Sequence, residues 1–263
     1  MPAREWDGAS YDRISATMEA FGLEVLARLD LHGEERVLDA GCGSGRITEA
    51  LIERLPRGHV IAIDESPSMV DAARKRLRAY AAASPGGAES PDPRVEIRVG
   101  DLLALELDQP VDAILSTATF HWIADHERLF SRLRGALRPG GRLVAQCGGE
   151  GNIEMLRAKA AEVLSSEPFA RHFADWSPPW YYAGASQTRE RLLDAGFSSA
   201  RCWLAAAPRE PEQPREFLST IVLGPAVQRL PAELRGRFMD AVLARVGEPV
   251  VVDYVRLNID ASA

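Results

Sequence analysis

The chain predicts an α/β protein, a mostly parallel, doubly wound sheet with helices on both faces and a helical cap. Three observations carry this prediction. Short apolar runs alternate with helix-period patterns through residue 147. Several of those runs are apolar without interruption, as strands covered on both faces must be. A glycine-rich turn joins the first run to the helix after it.

Residues 10–30 place Ile14, Met18, Phe21, Val25 and Leu29 at helical spacing, with Ser10 as the expected cap. Arg36-Val-Leu-Asp39 predicts the first strand. The glycine turn follows it, and then Ile47, Leu51, Ile52 and Leu55 mark a helix stopped by Pro56 and Gly58. The unit repeats: His59-Val-Ile-Ala-Ile-Asp64 is the second strand, and Ser66-Pro-Ser-Met opens a helix reaching about Tyr80. Residues 81–93 are rich in Pro, Gly, Ser and Ala, bury nothing and predict an exposed loop. Strands are expected at Arg94–Val99, Val111–Ser116 and Arg142–Cys147, with a helix from Asp125 to Leu137 and a turn at Pro139-Gly140-Gly141.

After Gly148 the rhythm changes. Helical stretches are expected at about 153–166, 213–223 and 231–245, and another ends at Ala195-Gly196-Phe197. A strand is expected near Arg201–Ala206, and a final apolar run covers Val250–Ile259. One domain over residues 1–263 is the expected organisation. Residues 1–147 form its ligand-binding core, and residues 148–263 supply cap helices over the carboxyl edge of the sheet plus the last strands.

Composition narrows the function. With 263 residues, 46% hydrophobic and 26% charged, the chain reads as an ordinary soluble protein, not a disordered one. Its 31 Lys and Arg against 38 Asp and Glu give a net charge of -7, which provides no broad field for nucleic acid. No apolar window approaches the ~20 residues of a membrane span, and the amino-terminal residues have no apolar signal core, so a cytoplasmic location is expected. The 3 cysteines lie far apart and the 5 histidines form no ligand pair, so neither a disulfide framework nor a metal site is expected.

The turn Asp39-Ala-Gly41-Cys42-Gly43-Ser-Gly45 stands where a βα crevice binds ligands. A dinucleotide fingerprint needs glycine at position 46, where this chain has Arg46. Asp39, two residues before the first glycine, disfavours a pyrophosphate and suits a cation such as the ammonium and sulfonium of S-adenosylmethionine. Asp64 ends the second strand about 20 residues after the glycines, where a carboxylate accepts both ribose hydroxyls; the alternative is a helix cap. Asp101 is placed to accept an adenine amino group, with the Leu102 amide beside it, or else belongs to a surface turn. Met69 lies against the adenine or is plain core.

Together Val-Leu-Asp-Ala-Gly-Cys-Gly-Ser-Gly, Ile-Ala-Ile-Asp64, Val-Gly-Asp101, Thr119-Phe-His-Trp-Ile and Leu-Arg-Pro-Gly-Gly-Arg-Leu resemble the class I S-adenosylmethionine-dependent methyltransferases. The similarity is to the small-molecule branch that includes trans-aconitate and juvenile hormone acid methyltransferases. It covers residues 5–147 well and the remainder only generically. The resemblance implies a Rossmann-like seven-stranded sheet. It also implies S-adenosylmethionine as cofactor, held at Asp39, Gly41, Cys42, Gly43 and Gly45, at Asp64, Met69, Asp101 and Leu102, and near Ser116. Trp6 and Tyr11 resemble family residues that fold over the ligand, the alternative being an anchor for the terminus.

Methyl transfer from a sulfonium is an in-line displacement that needs alignment and exclusion of water more than catalytic side chains. An ionised carboxylate needs no base, whereas a phenol, alcohol or carbon acid gains ~10²–10⁴-fold from one. His121 is the candidate base or hydrogen-bond partner of the acceptor, or a packed histidine. Trp122 walls the substrate side or staples the next helix. Six aromatic residues from Phe169 to Tyr182 lie within 14 positions and form a substrate wall or cap-to-core packing. Tyr11, Trp122, Trp180 and Tyr181 are the candidate substrate residues, and Arg171 or Arg189 is a candidate partner for a substrate carboxylate. The expected activity is methylation of a small molecule, favouring a carboxylate oxygen. The alternatives are carbon, nitrogen or hydroxyl methylation of a natural-product scaffold, and a binding protein without turnover. No nucleic-acid or membrane partner is expected, and the protein is expected to be a monomer or homodimer.

Overall fold

The structure, a computed structural model, describes residues 16–81 and 94–263. Most of the expected loop at 81–93, and the expected cap Ser10, lie outside these residues.

The first helix, α1 (Ala16–Arg28), leads into β1 (Arg36–Ala40), α2 (Arg46–Glu53), β2 (His59–Asp64) and α3 (Pro67–Arg76). Then come β3 (Val95–Val99), β4 (Val111–Thr117), α4 (His126–Ala136) and β5 (Leu137–Gly148). The last part holds α5 (Glu154–Leu164), α6 (Ala185–Asp194), β6 (Ser199–Ala206), α7 (Ala232–Val246) and β7 (Val255–Ser262).

The seven strands lie in the order β3-β2-β1-β4-β5-β7-β6. The five strands from β3 to β5 are parallel, and β7 runs antiparallel between β5 and β6. This is the mostly parallel sheet predicted from the alternation.

Alternate strand residues point to opposite faces, so successive apolar side chains feed two layers. Val37 and Val60 pack with Val25, Leu51 and Leu55 on one face. Leu38 and Ile61 pack with Leu129, Phe130 and Leu192 on the other. Each such fully buried aliphatic side chain contributes roughly 1.5–3 kcal/mol. Strand order reverses between β1 and β4, which opens a crevice beyond their carboxyl ends.

A third apolar cluster forms the cap. It joins Phe21 of α1, Leu156 and Val163 of α5, Phe217 and Leu218, Phe238 of α7, and Tyr254. Helix α1 thus serves two cores, with Phe21 in the cap and Val25, Leu26 and Leu29 against the sheet.

Several boundaries differ from the sequence reading. Strand β5 already begins at Leu137 and takes in the expected turn Pro139-Gly140-Gly141, with an irregular register against β4 before Arg142. The final run is not one strand from 250: Val250, Val252 and Tyr254 turn into the cap core, and pairing with β5 and β6 starts at Val255. The stretch at 213–223 splits into Pro214–Phe217 and a π-helical turn, Leu218–Val222, and helix then resumes at Gly224–Arg229 because Pro225 suits a helix start. The helix after Ser66 breaks at Leu77, ahead of a short turn Arg78–Ala81. No helix among the described residues is long and apolar enough to cross a membrane, and none of their His, Cys, Asp and Glu groups could hold a metal ion.

Candidate active site

The turn after β1 is held by backbone. The N–H groups of Gly41 and Cys42 both donate to the Ile63 carbonyl, at 2.8 and 3.0 Å. Gly41 has φ 84°, and a Cβ there would lie 2.1 Å from Thr119 Oγ1, so no side chain fits. The Gly43 N–H donates to Asp64 Oδ2 at 2.9 Å, and the Ser66 N–H donates to Asp64 Oδ1 at 2.9 Å. Asp64 therefore ties the glycine turn to the start of α3, while Ser66 Oγ caps that helix. Each carboxylate oxygen keeps a second lone pair for a ligand hydroxyl.

A cavity of about 750 Å³ opens over these strand ends, within the range of small-molecule sites. Of the predicted cofactor residues, Gly41, Gly43, Asp64, Met69, Asp101 and Leu102 line it. Asp101 also accepts the Leu103 N–H at 2.8 Å, so the turn role and the wall position coexist. The predicted substrate-side residues His121, Trp122, Trp180 and Tyr181 form its opposite wall. Tyr11 and Trp6 lie outside the described residues.

Four predicted residues stand behind the wall. Asp39 is buried beneath the turn, where its Oδ2 accepts from Thr48 Oγ1 at 2.6 Å and its Oδ1 has no hydrogen-bond partner. Burial raises its pKa to about 7, opposed by the Thr48 bond and reinforced by the nearby Asp64 charge. Cys42 packs into the apolar layer of β1, and burial pushes its thiol up. Gly45 starts α2 at φ 82°, and a Cβ there would meet Ala73 and Leu77 at 3.1 Å, so it serves helix packing. Ser116 donates to the Ala40 carbonyl at 2.6 Å and pins β4 to β1.

The orphaned Asp39 oxygen and the nearby Asp64 carboxylate make an environment suited to a cationic amino acid above the turn, and the site residues fit S-adenosylmethionine. Arg171 and Arg189, by contrast, are exposed and off the cavity wall.

His121 is buried on the wall, stacked on Tyr182 with ring centroids 5.9 Å apart. The Gly148 backbone N–H donates to its Nδ1 at 3.3 Å, and its own carbonyl accepts from the Tyr181 N–H at 2.8 Å. Nδ1 being an acceptor, the neutral ring carries its proton on Nε2. Trp122 and Trp180 stack at 6.1 Å, which connects the strand-end loop to the aromatic segment.

Sequence reasoning missed several wall residues, among them Ala118, Asn152 and Arg256. Ala118 has φ 55°, a left-handed conformation that costs a non-glycine residue energy and lets the chain leave β4 toward Thr119. Residue type gives no sign of it. Arg256 and Asn258 did leave a trace, as two polar residues inside the apolar run that closes the chain.

Comparison with known proteins matches residues 37–141 to a family described as a methyltransferase domain. The chain is 32% identical to a trans-aconitate 2-methyltransferase of Methylobacterium nodulans, over 77% of this chain and 68% of that protein. It is 31% identical to one of Variovorax paradoxus, over 96% and 94%. Among solved structures it resembles the YcgJ protein from Bacillus subtilis at TM-score 0.61 and 16% identity, covering 92% of this chain and 97% of that one. It also resembles the phosphoethanolamine N-methyltransferase 2 of Haemonchus contortus bound to S-adenosylhomocysteine, at TM-score 0.59 and 19% identity, covering 97% and 56%.

Proposed function

Because this chain belongs to the S-adenosylmethionine-dependent methyltransferases, we propose that its acceptor is a small organic acid with an apolar body, methylated on a carboxylate oxygen. The cofactor, when bound, supplies the methyl group as an electrophilic sulfonium. The protein's own part is to hold the acceptor in line and to keep water out.

The observation that carries the reading is the bond from the Gly148 N–H to His121 Nδ1. A neutral ring held this way has its proton on Nε2, so it acts as a donor and does not take a proton from a phenol or alcohol. A carboxylate, already ionised at neutral pH, needs no such removal. The body of the acid would lie against Trp122, Ile123, Trp180, Ile221 and Val222, which give the cavity its apolar wall. The relatives named for trans-aconitate agree with a carboxylic acceptor.

The test is incubation with methyl-labelled cofactor and a panel pairing carboxylic acids with their alcohols, phenols and amines. Label in a product cleaved by mild alkali, as an ester is, supports the reading. Label found solely in alkali-stable ethers, amines or carbon-methylated products overturns it.

A further inference from the structure

We propose that Arg157 is a positioning residue for the acceptor: from off the cavity wall, its guanidinium holds the rings of Trp180 and Tyr182 where they form that wall. The inference rests on the reading above in setting the acceptor against these rings, and not in its being a carboxylate.

Trp180 and Tyr182 line the cavity, and Arg157 does not. The stretch that leads to Trp180 is Ser177-Pro178-Pro179. Neither proline has an N–H to donate, so this stretch has fewer backbone bonds to fix it, and ring contacts decide where Trp180 sits. Trp180 stacks on Trp122 at 6.1 Å, meets Trp176 edge-on at 6.2 Å and meets Tyr182 at 6.4 Å, with the last two planes 75° apart. Tyr182 stacks on His121 at 5.9 Å. Aromatic pairs accept a broad range of offsets, so rings packed on rings leave the panel free to slide.

Arg157 supplies a fixed point. Its guanidinium lies 5.9 Å from the centroid of Trp180 and 5.5 Å from that of Tyr182, so the cation and the two rings form a nearly equilateral triangle. Both distances are within the ~6 Å over which a cation is drawn to an aromatic face. The backbone that carries Arg157 is rigid. Its N–H donates to the Ile153 carbonyl at 2.8 Å in the first turn of α5. Asp253 caps that turn by accepting from the N–H groups of Met155 at 2.7 Å and Leu156 at 3.3 Å, and Leu156 is buried in the cap core. Among the described residues Arg157 pairs with no carboxylate, so its charge meets the two rings alone. Tyr182 has a further tie through its hydroxyl to Asn152, whose Oδ1 accepts from the Val255 N–H at 3.0 Å. Loss of Arg157 therefore falls mainly on Trp180.

The competing roles are a charge that draws an anionic acceptor directly and an exposed arginine without consequence. Two measurements separate them. In protein labelled with 5-fluorotryptophan, the fluorine signal of Trp180, identified by its loss in W180F, should move in R157M and return part of the way in R157K. The signal of Trp203, which meets Arg28 and Arg201 instead, should stay in place. Calorimetric titration of the protein loaded with S-adenosylhomocysteine then uses 3-phenylpropionate and its uncharged amide, 3-phenylpropanamide. R157M should weaken both probes alike, by about 3- to 10-fold, and R157K by less. Affinity for S-adenosylhomocysteine should stay as in wild type, because Arg157 is exposed and off the wall.

An unmoved Trp180 signal, or equal probe binding by wild type and R157M, would overturn the inference. A loss confined to the acid would overturn it too, since a charge acting on the carboxylate itself gives that pattern. So would an equal loss for S-adenosylhomocysteine, the mark of a general disturbance, or a wild type that binds neither probe. If both probes weaken in R157M yet methyl label is found solely in ethers or amines, the positioning role stands and the carboxylate reading falls. If label enters esters while R157M binds both probes as wild type does, the reading stands and the positioning role falls.

Discussion

Thr48 Oγ1 holds one oxygen of Asp39 at 2.6 Å while the other oxygen of that carboxylate, buried beneath the glycine turn, has no hydrogen-bond partner. A carboxylate in that state is poorly stabilised when ionised, which is why burial lifts it from 3.8 to about 7.

Cofactor affinity should therefore depend on pH. A cation above the turn favours ionised Asp39, so binding should weaken as pH falls below about 7, approaching tenfold per unit, and at pH 7 it should release protons. Titration calorimetry in buffers of different ionisation enthalpy reads both effects, and D39N should remove them.

The ligand-free protein should respond in the opposite sense. A folded-state pKa raised above the unfolded one means that the native state binds more protons between 3.8 and about 7, so this contribution to stability is full below that window and is lost as pH rises through it. The slope is about 1.4 kcal/mol per pH unit from this one group. Thermal unfolding of wild type and D39N between pH 5 and 8 should show the two curves converging at low pH.

Asp64 accepts from Gly43 and Ser66 and lines the cavity, so its loss should loosen the turn and remove a ligand acceptor together. D64A is expected to weaken S-adenosylhomocysteine by about 10- to 100-fold, and D64N, which keeps one acceptor oxygen, by less. Equal affinities by calorimetry would remove Asp64 from the cofactor site.

G41A sets a Cβ 2.1 Å from Thr119 Oγ1 at a φ of 84°. The strain should destabilise the fold by about 1–3 kcal/mol, lowering the melting temperature by several degrees. Cofactor binding should be lost with it, because Thr119 and Gly41 share the wall. An unchanged melting curve would show that the turn yields.

For the histidine the expected order of activity is wild type, then H121Q, then H121L. Glutamine keeps an N–H donor where leucine has none. H121L is expected to lower kcat/KM for an acid about tenfold, the size of one hydrogen bond to a charged group. H121Q and H121L equally inactive, with cofactor affinity intact, would point instead to proton removal by the imidazole.

The parallel half of the sheet was legible because its inner strands are short apolar runs ended by turn formers, which burial on both faces requires, while the edge strand β3 alternates apolar and charged residues. The start of the last strand within the final apolar run was not legible. Val250, Val252 and Tyr254 are as apolar as a strand, yet the cap core takes them, and only cross-strand pairing places the start at Val255. In the site, Asp64 and the glycines could be read from their position at strand ends. Asp39 could be identified but not located, since composition does not say whether an acid lies on a wall or under it. Ser116, expected from family resemblance, holds a neighbouring carbonyl instead. Arg256 escaped because its hydrogen-bond partner Gln146, 110 positions away in sequence, becomes its neighbour only through the β5–β7 pairing.

Helix α1 meets Arg256 twice, directly through the Phe21 ring and indirectly through Arg28, Asn258 and Gln146. Those contacts are seven residues apart, two helical turns, so both project from one side of the rod, about 10.5 Å apart along its axis. The helix works as a crossbar: turning it about its long axis would withdraw the ring and the relay at once. Substitutions at Phe21 or Arg28, which do not line the cavity, would thereby shift a residue of its wall.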